Sequence, residues 1–413
     1  MLKLKKKILG SFSKVKIFEI NSVAGIRSTG RICTDIAKTL FKNGHDCKIA
    51  YGRESAPDFC KGYTVKIGTK LGAYVKFARG LVFDDQGHGS RIGTRKLIKE
   101  IKEYSPDIIH LHNIHGYYLN IKMLFDFLKE ANIPVVWTLH DCWAFTGHCA
   151  YFDFAKCEKW KTGECKNCPS KGEYPPSLLR DRSEKNLKEK RELFTSVKNM
   201  TLVTPSDWLA SLARESFLNK YDIVTVNNGI DLDAFKPTKG DILTRLGLEG
   251  KKTALGVASV WDRRKGLSDF LKIAQKIGEE WQIVLVGLNK KQIATLPKSI
   301  TGVERTNSQK ELAELYTAAD VFVNPTYEDN FPTVNIEAQA CGTPVITYRT
   351  GGSPECVEEK WCKIVEKGDT DALLSAIYEI RKSEEINADK FDKNKKYLEY
   401  LALYKKILRE SKG

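Results

Sequence analysis

No stretch of the 413-residue chain reaches the roughly eighteen consecutive apolar residues that a membrane-crossing helix needs. The basic opening from Met1 to Gly10 is followed by neither a long apolar run nor a small-residue cleavage site. That excludes a secretory signal and sets the expectation of a cytoplasmic chain. Helix-turn-helix, RNA-recognition and other nucleic-acid signatures are also missing, so nucleic acid is not an expected partner. The glycine-bearing loop after the first apolar strand lacks the full dinucleotide fingerprint, which leaves NAD binding unsupported. Asp84-Asp85 lacks the spacing of an Asp-x-Asp metal site and reads as solvated. No side chain announces itself as a covalent nucleophile.

What is present bounds the rest. The length suits two domains of ordinary size, and 42% hydrophobic residues can build full cores. A net charge of +15 calls for an anionic membrane face, phosphorylated substrates or simply solvated surface lysines. Basic residues crowd the segment from Lys70 to Lys102, with Tyr74, Phe77, Leu81 and Phe83 among them. Eleven cysteines in a reducing compartment read as thiols or metal ligands before disulfides.

Along the chain, Lys14–Asn21 alternates as a strand, Ser22–Arg31 reads as a loop, and Ile32, Ile36 and Leu40 follow at helical spacing. Further strands are expected at 45–51, 107–113, 134–141 and 200–206, and the second half restarts the pattern at 253–258. In an open α/β sheet, ligands gather at the carboxyl ends of the strands, which favours His112, His115 and His140 as site residues. The last helix has Tyr397, Leu401, Tyr404 and Leu408 on one face, and that face needs a surface to bury it.

A cysteine island occupies 142–169, with Cys142, Cys149, Cys157, Cys165 and Cys168 beside His148, Trp143 and Trp160. Cys165-Lys166-Asn167-Cys168 is a Cys-x2-Cys knuckle, and with Cys149 and Cys157 it supplies the four thiolates of a structural zinc site. The second knuckle that such sites usually have is missing, so free or redox-active thiols remain the alternative.

The chain is organised around Tyr327–Ile346. An apolar strand at 319–325 precedes it, Pro332 opens a helix over Thr333–Cys341, and Gly342 and Pro344 end it before the strand Val345–Tyr348. Asp329 lies on the loop and Glu337 on the helix, with seven residues between them. A carboxylate is thereby set beside the positive end of a helix, where an anionic ligand and its hydroxyls can both be held.

This acid-x7-acid stretch resembles the signature of retaining glycosyltransferases of family 4. The resemblance extends to Ala340-Cys341-Gly342-Thr343-Pro344, Gly351-Gly352, the Thr138-Leu139-His140-Asp141 segment and Lys265-Gly266. It implies an α/β chain of GT-B fold: two Rossmann-like domains facing a cleft, with the terminal helix crossing back to the first. The implied division is an acceptor domain over 1–236 carrying the insert 142–169, a donor domain over 237–385, and the helix over 386–413. Glu337 would grip the ribose diol of a nucleotide sugar, since a carboxylate accepts from both hydroxyls of a diol. Asp329, where the family usually has Glu, would hold sugar hydroxyls, with Glu328 as a neighbour able to take the role at another spacing. His140 would contact the donor sugar. Gly30, Asn330, Phe331 and Pro332 would line the donor site. Ser259 stands where a phosphate-binding Arg is expected, so Arg264 joins Lys265 in neutralising the leaving diphosphate, and no metal cofactor is required for transfer.

The reading is transfer of a sugar, with retained configuration, from a UDP- or GDP-sugar to a lipid-linked saccharide at an anionic membrane surface, as in exopolysaccharide or capsule assembly. Two rivals remain: an epimerase of the same fold acting on UDP-GlcNAc without an acceptor, and a non-catalytic zinc-bearing surface-binding protein.

Overall fold

The computed structural model describes residues 14–411, so the basic run from Met1 to Gly10 lies outside the described residues. Contacts divide the chain into two compact units. The first comprises the chain up to Pro205, Ala210–Val226 and everything from Tyr397 on, and the second Ser206–Leu209 and Asn227–Lys396. The division falls at Val226/Asn227, ten residues before the Lys236 at which the sequence suggests it.

The first unit holds a seven-stranded, all-parallel sheet: β1 (Lys16–Asn21), β2 (Asp46–Tyr51), β3 (Thr64–Lys66), β4 (Ile108–Leu111), β5 (Val135–Thr138), β6 (Met200–Thr204) and β7 (Asp222–Thr225). Their order is β3-β2-β1-β4-β5-β6-β7. The three-residue edge strand β3 carries too short a pattern to read from sequence. In the second unit, β8 (Lys252–Val257), β9 (Trp281–Val286), β10 (Ile300–Val303), β11 (Val321–Asn324), β12 (Val345–Tyr348) and β13 (Lys363–Val365) form another parallel sheet. Its order is β10-β9-β8-β11-β12-β13. Continuous apolar runs such as Ile283–Val286, buried at every residue, are what a sheet covered on both faces demands.

Each order reverses once, between β1 and β4 in the first sheet and between β8 and β11 in the second. At such a switch the crossover helices leave in opposite directions and open a crevice at the carboxyl ends of the two strands. Lys265 and Asp329 lie on the segments leaving β8 and β11, and His112 and His115 on the loop leaving β4, whereas His140 follows the neighbouring β5 and Glu337 lies on the helix after β11.

Two expectations need correcting. Ser28, Thr29, Gly30 and Arg31 are not loop, because the helix after β1 already begins at Arg27 and runs to Lys42. Gly30 is buried in it, where an added Cβ would stand 3.0 Å from Val23 Cγ2. Asp84 and Asp85 are not solvated but 0% and 5% exposed. Asp84 takes a left-handed conformation (φ 51°) at the end of the helix Lys70–Phe83, which turns the chain inward. Its carboxylate meets His148 Nδ1 at 2.6 Å and the Arg182 N–H at 2.8 Å, so its burial is compensated.

Within the helix Lys393–Glu410, the chain returns from the second unit to the first at Tyr397. Tyr397, Tyr400, Leu401 and Tyr404 are buried there against Ile17, Ile108 and Val136. The apolar face read from the sequence thus finds its surface.

Candidate functional site

In the second unit, the loop after β8 ends in a tight turn, Arg263–Lys265, capped by the Asp262 side chain accepting from Arg264 N–H at 2.9 Å. The Arg264 carbonyl accepts from Tyr327 N–H at 2.6 Å and from Thr326 Oγ1 at 3.2 Å, which docks this turn on the loop after β11. Gly266 makes the approach possible: it sits at φ 73°, and a Cβ there would stand 2.2 Å from the Pro325 carbonyl oxygen. The docking brings Lys265 Nζ to 2.5 Å from Asp329 Oδ2, both side chains partly exposed. Arg264 lies beside this pair, its guanidinium 3.2 Å from Asp262.

Asp329 is fixed from the other side as well. Gly351 and Gly352 run under its loop so closely that Cβ atoms would stand 1.9 Å from the Asp329 carbonyl oxygen and 2.0 Å from that of Asn330. Glu328 is 5% exposed, so of the two adjacent acids it is Asp329 that reaches the lysine. Asn330 is buried and its Oδ1 accepts from Ser206 Oγ at 2.6 Å. Phe331 packs on Phe391 with ring centroids 5.8 Å apart, and Pro332 precedes the first turn of the helix Thr333–Ala340. Glu337, half-buried on that helix, is oriented by the Tyr316 hydroxyl, which donates to its Oε2 at 3.1 Å.

The first unit presents different chemistry at its switch. His112 and His140, at the ends of β4 and β5, meet at 3.0 Å between Nδ1 and Nε2. Burial lowers the His140 pKa to about 4, the nearby Asp141 opposing the shift, and pushes His112 well below its ordinary value. His110 is held to about 3, first by burial and then by His140; its ring nitrogens bond Thr138 Oγ1 at 2.8 Å and Tyr404 Oη at 2.7 Å. His115 Nε2 lies 2.9 Å from Asp141 Oδ2. Burial raises the Asp141 carboxyl, but His115 and the Trp143 N–H more than reverse this and leave it below its ordinary value. A small pocket at these strand ends is lined by His112, His115, His140, Asp141 and Trp143.

Glu19 was missed in the sequence. It lies opposite His110 in the register of β1 and β4, fully buried, with its Oε2 3.7 Å from His112 Nε2. Burial raises its pKa well above the ordinary range. The available signal was a charged residue inside an apolar central strand. Among the described residues, Glu19, His110 and His112 are the group of acid, histidine and cysteine donors that all lie within 4.8 Å of one another. Cys149, Cys157, Cys165 and Cys168 instead surround one small pocket with His148.

The segment from Lys70 to Lys102 forms the helices Lys70–Phe83 and Arg91–Tyr104, the side chain of Lys70 lying outside the described residues. Tyr74 is 77% exposed. Leu178 N–H donates to the Leu81 carbonyl at 2.7 Å, setting Leu178 and Leu179 (65% and 70% exposed) at the end of the first helix. Arg79 and Arg180 flank the Phe83 ring at 5.8 and 5.2 Å.

Two parallel doubly wound sheets, each with polar groups at its switch point, define a GT-B glycosyltransferase architecture. Solved structures agree at the level of fold. Sucrose-phosphate synthase from Thermosynechococcus elongatus superposes with a TM-score of 0.71 at 18% identity, covering 96% of this chain and 100% of that one. Anabaena Alr3699/HepE in complex with UDP and glucose gives 0.64 at 14% identity, covering 95% and 100%. The family models for Glycosyltransferase Family 4 and for Glycosyl transferases group 1 match residues 29–234 and 251–383. The chain belongs to this family. Among relatives is WcaC of Escherichia coli (strain K12), a glycosyl transferase named for colanic acid biosynthesis, 28% identical over 277 residues. That match takes in 65% of this chain and spans 66% of the relative's length. A D-inositol 3-phosphate glycosyltransferase of Mycobacterium sp. (strain KMS) is 30% identical over 150 residues, about a third of each chain.

Proposed function

We propose that the chain moves a sugar from a nucleotide-sugar donor to an acceptor hydroxyl with retention of configuration. The observation that carries this is the Lys265–Asp329 pair, 2.5 Å apart at the switch of the second sheet. A cation for the diphosphate and an acid for the sugar hydroxyls are adjacent there, and Tyr316 holds Glu337 in a fixed orientation for the ribose diol. A diphosphate arriving at Lys265 competes with Asp329 for the ammonium and frees the carboxylate to accept from sugar hydroxyls. His140 contacts the donor sugar as a neutral imidazole, its protonation suppressed by burial. Anabaena HepE, which shares the fold, was crystallised in complex with UDP and glucose, and this favours UDP over GDP as the donor nucleotide.

The acceptor in this proposal is a lipid-linked saccharide of exopolysaccharide or capsule assembly, reached from an anionic membrane face. The name of WcaC supports the polysaccharide class. Exposed Tyr74, Leu178 and Leu179 beside Arg79 and Arg180, with the net charge of +15, support the surface; each cation adds about 1 kcal/mol near anionic lipid. No helix among the described residues is long and apolar enough to cross a membrane. The test is a donor assay with UDP- and GDP-sugars, with and without a lipid-linked saccharide. Turnover that requires the acceptor is expected. Acceptor-independent hydrolysis or isomerisation would favour the epimerase, and no turnover the non-catalytic binding protein. Co-sedimentation with anionic vesicles, lost at high salt, is expected; equal binding to neutral vesicles ends the membrane reading.

A further inference from the structure

Between β5 and the helix Ser183–Phe194, regular structure is confined to the turn Trp143–Phe145 and the four-residue helix Lys159–Thr162. Yet Cys142, Phe145 and Ala150 are completely buried. A segment with so few backbone ladders needs another source of order. Five donors line one pocket inside it: His148, Cys149, Cys157, Cys165 and Cys168. The four thiols are free, and those of Cys149 and Cys168 hydrogen-bond to each other.

His148 is the independent observation. It is 1% exposed, its Nδ1 lies 2.6 Å from Asp84 Oδ1, and its Nε2 has no hydrogen-bond partner among the described residues. An imidazole anchored to a buried carboxylate through one nitrogen, with the other bare in a thiol-lined pocket, is the arrangement by which proteins orient metal-binding histidines. The surrounding backbone is fixed for the purpose. The Cys168 N–H donates to Asp181 Oδ2 at 2.6 Å and Ser183 Oγ to the Cys165 carbonyl at 3.1 Å. Gly147 passes so close that a Cβ would stand 2.2 Å from the Ser183 carbonyl oxygen and 2.8 Å from Cys165 Cβ. The buried Lys190 Nζ donates to the carbonyls of Trp143 and Thr146, at 2.7 and 2.9 Å, and ties down the backbone on either side of that turn.

We propose that this pocket binds one zinc ion, its four ligands drawn from these four thiolates and His148 Nε2. Zinc takes four sulfur or nitrogen ligands at about 2.0–2.3 Å, and a closed set of this kind is structural. The donors ring the pocket rather than meet at a point, so binding closes a segment of side chains onto the ion and couples metal to local folding. The same segment starts at Asp141, the partner of His115, so the ion also steadies the first unit's switch-point pocket.

The experiment uses the full chain purified without chelator. Metal analysis is expected to find one zinc per chain. Cobalt substitution is expected to give the thiolate charge-transfer and tetrahedral bands of a sulfur-rich site. A Cys165→Ser/Cys168→Ser variant is expected to lose the metal and to melt several degrees lower. If that variant does not fold, zinc stoichiometry and the cobalt spectrum of the unsubstituted chain still decide. Substoichiometric zinc with all thiols reactive overturns the proposal. Full retention of zinc by the double variant also overturns it, and would move attention to Glu19, His110 and His112.

Discussion

The two sheets build their switch points from opposite materials. All seven histidines of the chain lie in its first 148 residues; His110, His112 and His115 are buried with Glu19 at the first sheet, and His140 is partly buried beside them. The second sheet has no histidine and presents a cation paired with an acid, both partly exposed. Burial explains the difference. In the first site desolvation suppresses protonation, so the imidazoles act as neutral hydrogen-bonding groups. In the second, Lys265 and Asp329 are partly open to water and can exchange partners, as a site receiving a diphosphate requires.

Acid should break this contrast most strongly. His140 is held at about 4 and His110 at about 3 against an ordinary 6.5, and His112 is also lowered. The unfolded chain therefore takes up protons first, and stability present above pH 6.5 is lost as pH falls toward 4. Glu19 works the other way: its raised pKa contributes stability below its ordinary 4.5 that is lost as pH rises. Three imidazoles against one carboxyl leave a net loss on acidification, each uncompensated group contributing about 1.4 kcal/mol per pH unit. Unfolding at pH 7 and pH 5 should differ by a few kcal/mol, with hydrogen exchange, corrected for pH, rising in β4 and β5 but not in β8 and β11. Equal stability at the two pH values would show that the imidazoles are not held neutral.

Glu337→Ala comes next, with UDP affinity falling by about 1.5–3 kcal/mol as the charged hydrogen bonds to the diol are lost. Calorimetry showing unchanged affinity for both UDP and GDP rules the assignment out. Asp329→Asn should lower turnover about tenfold, through the loss of roughly one charge-assisted hydrogen bond to the sugar. Its effect on nucleotide affinity should be smaller, and the reverse pattern would assign Asp329 to the nucleotide. Arg264→Ala should matter least. Its guanidinium is partly exposed and already paired with Asp262, so about 0.5–1 kcal/mol of nucleotide affinity is expected to go. A loss as large as that of Glu337→Ala would make Arg264, not Lys265, the main phosphate cation.

Local pattern was enough for most of the second unit. Pro332, Gly342 and Pro344 bracket a helix that runs over Thr333–Ala340, and Val345–Tyr348 is a strand as its β-branched and aromatic residues suggest. These signals act over a few residues, so one segment contains them. The acid-x7-acid spacing likewise placed Asp329 and Glu337 on one loop–helix unit.

Tertiary structure decided what depends on strands far apart in the chain. Glu19 faces His110 only because β1 and β4, about ninety residues apart in sequence, are neighbours in the sheet. Asp84 reads as solvated until the turn after its helix carries it to His148 and Arg182. Which of Glu328 and Asp329 serves the site was open in the sequence. The close approach of Gly266, Gly351 and Gly352 settles which acid reaches Lys265, and sequence alone names those glycines without saying what they press against. Residue types and local spacing determine the family and the candidate groups. Charge state and pairing belong to the fold, because burial and the neighbour across the sheet set both.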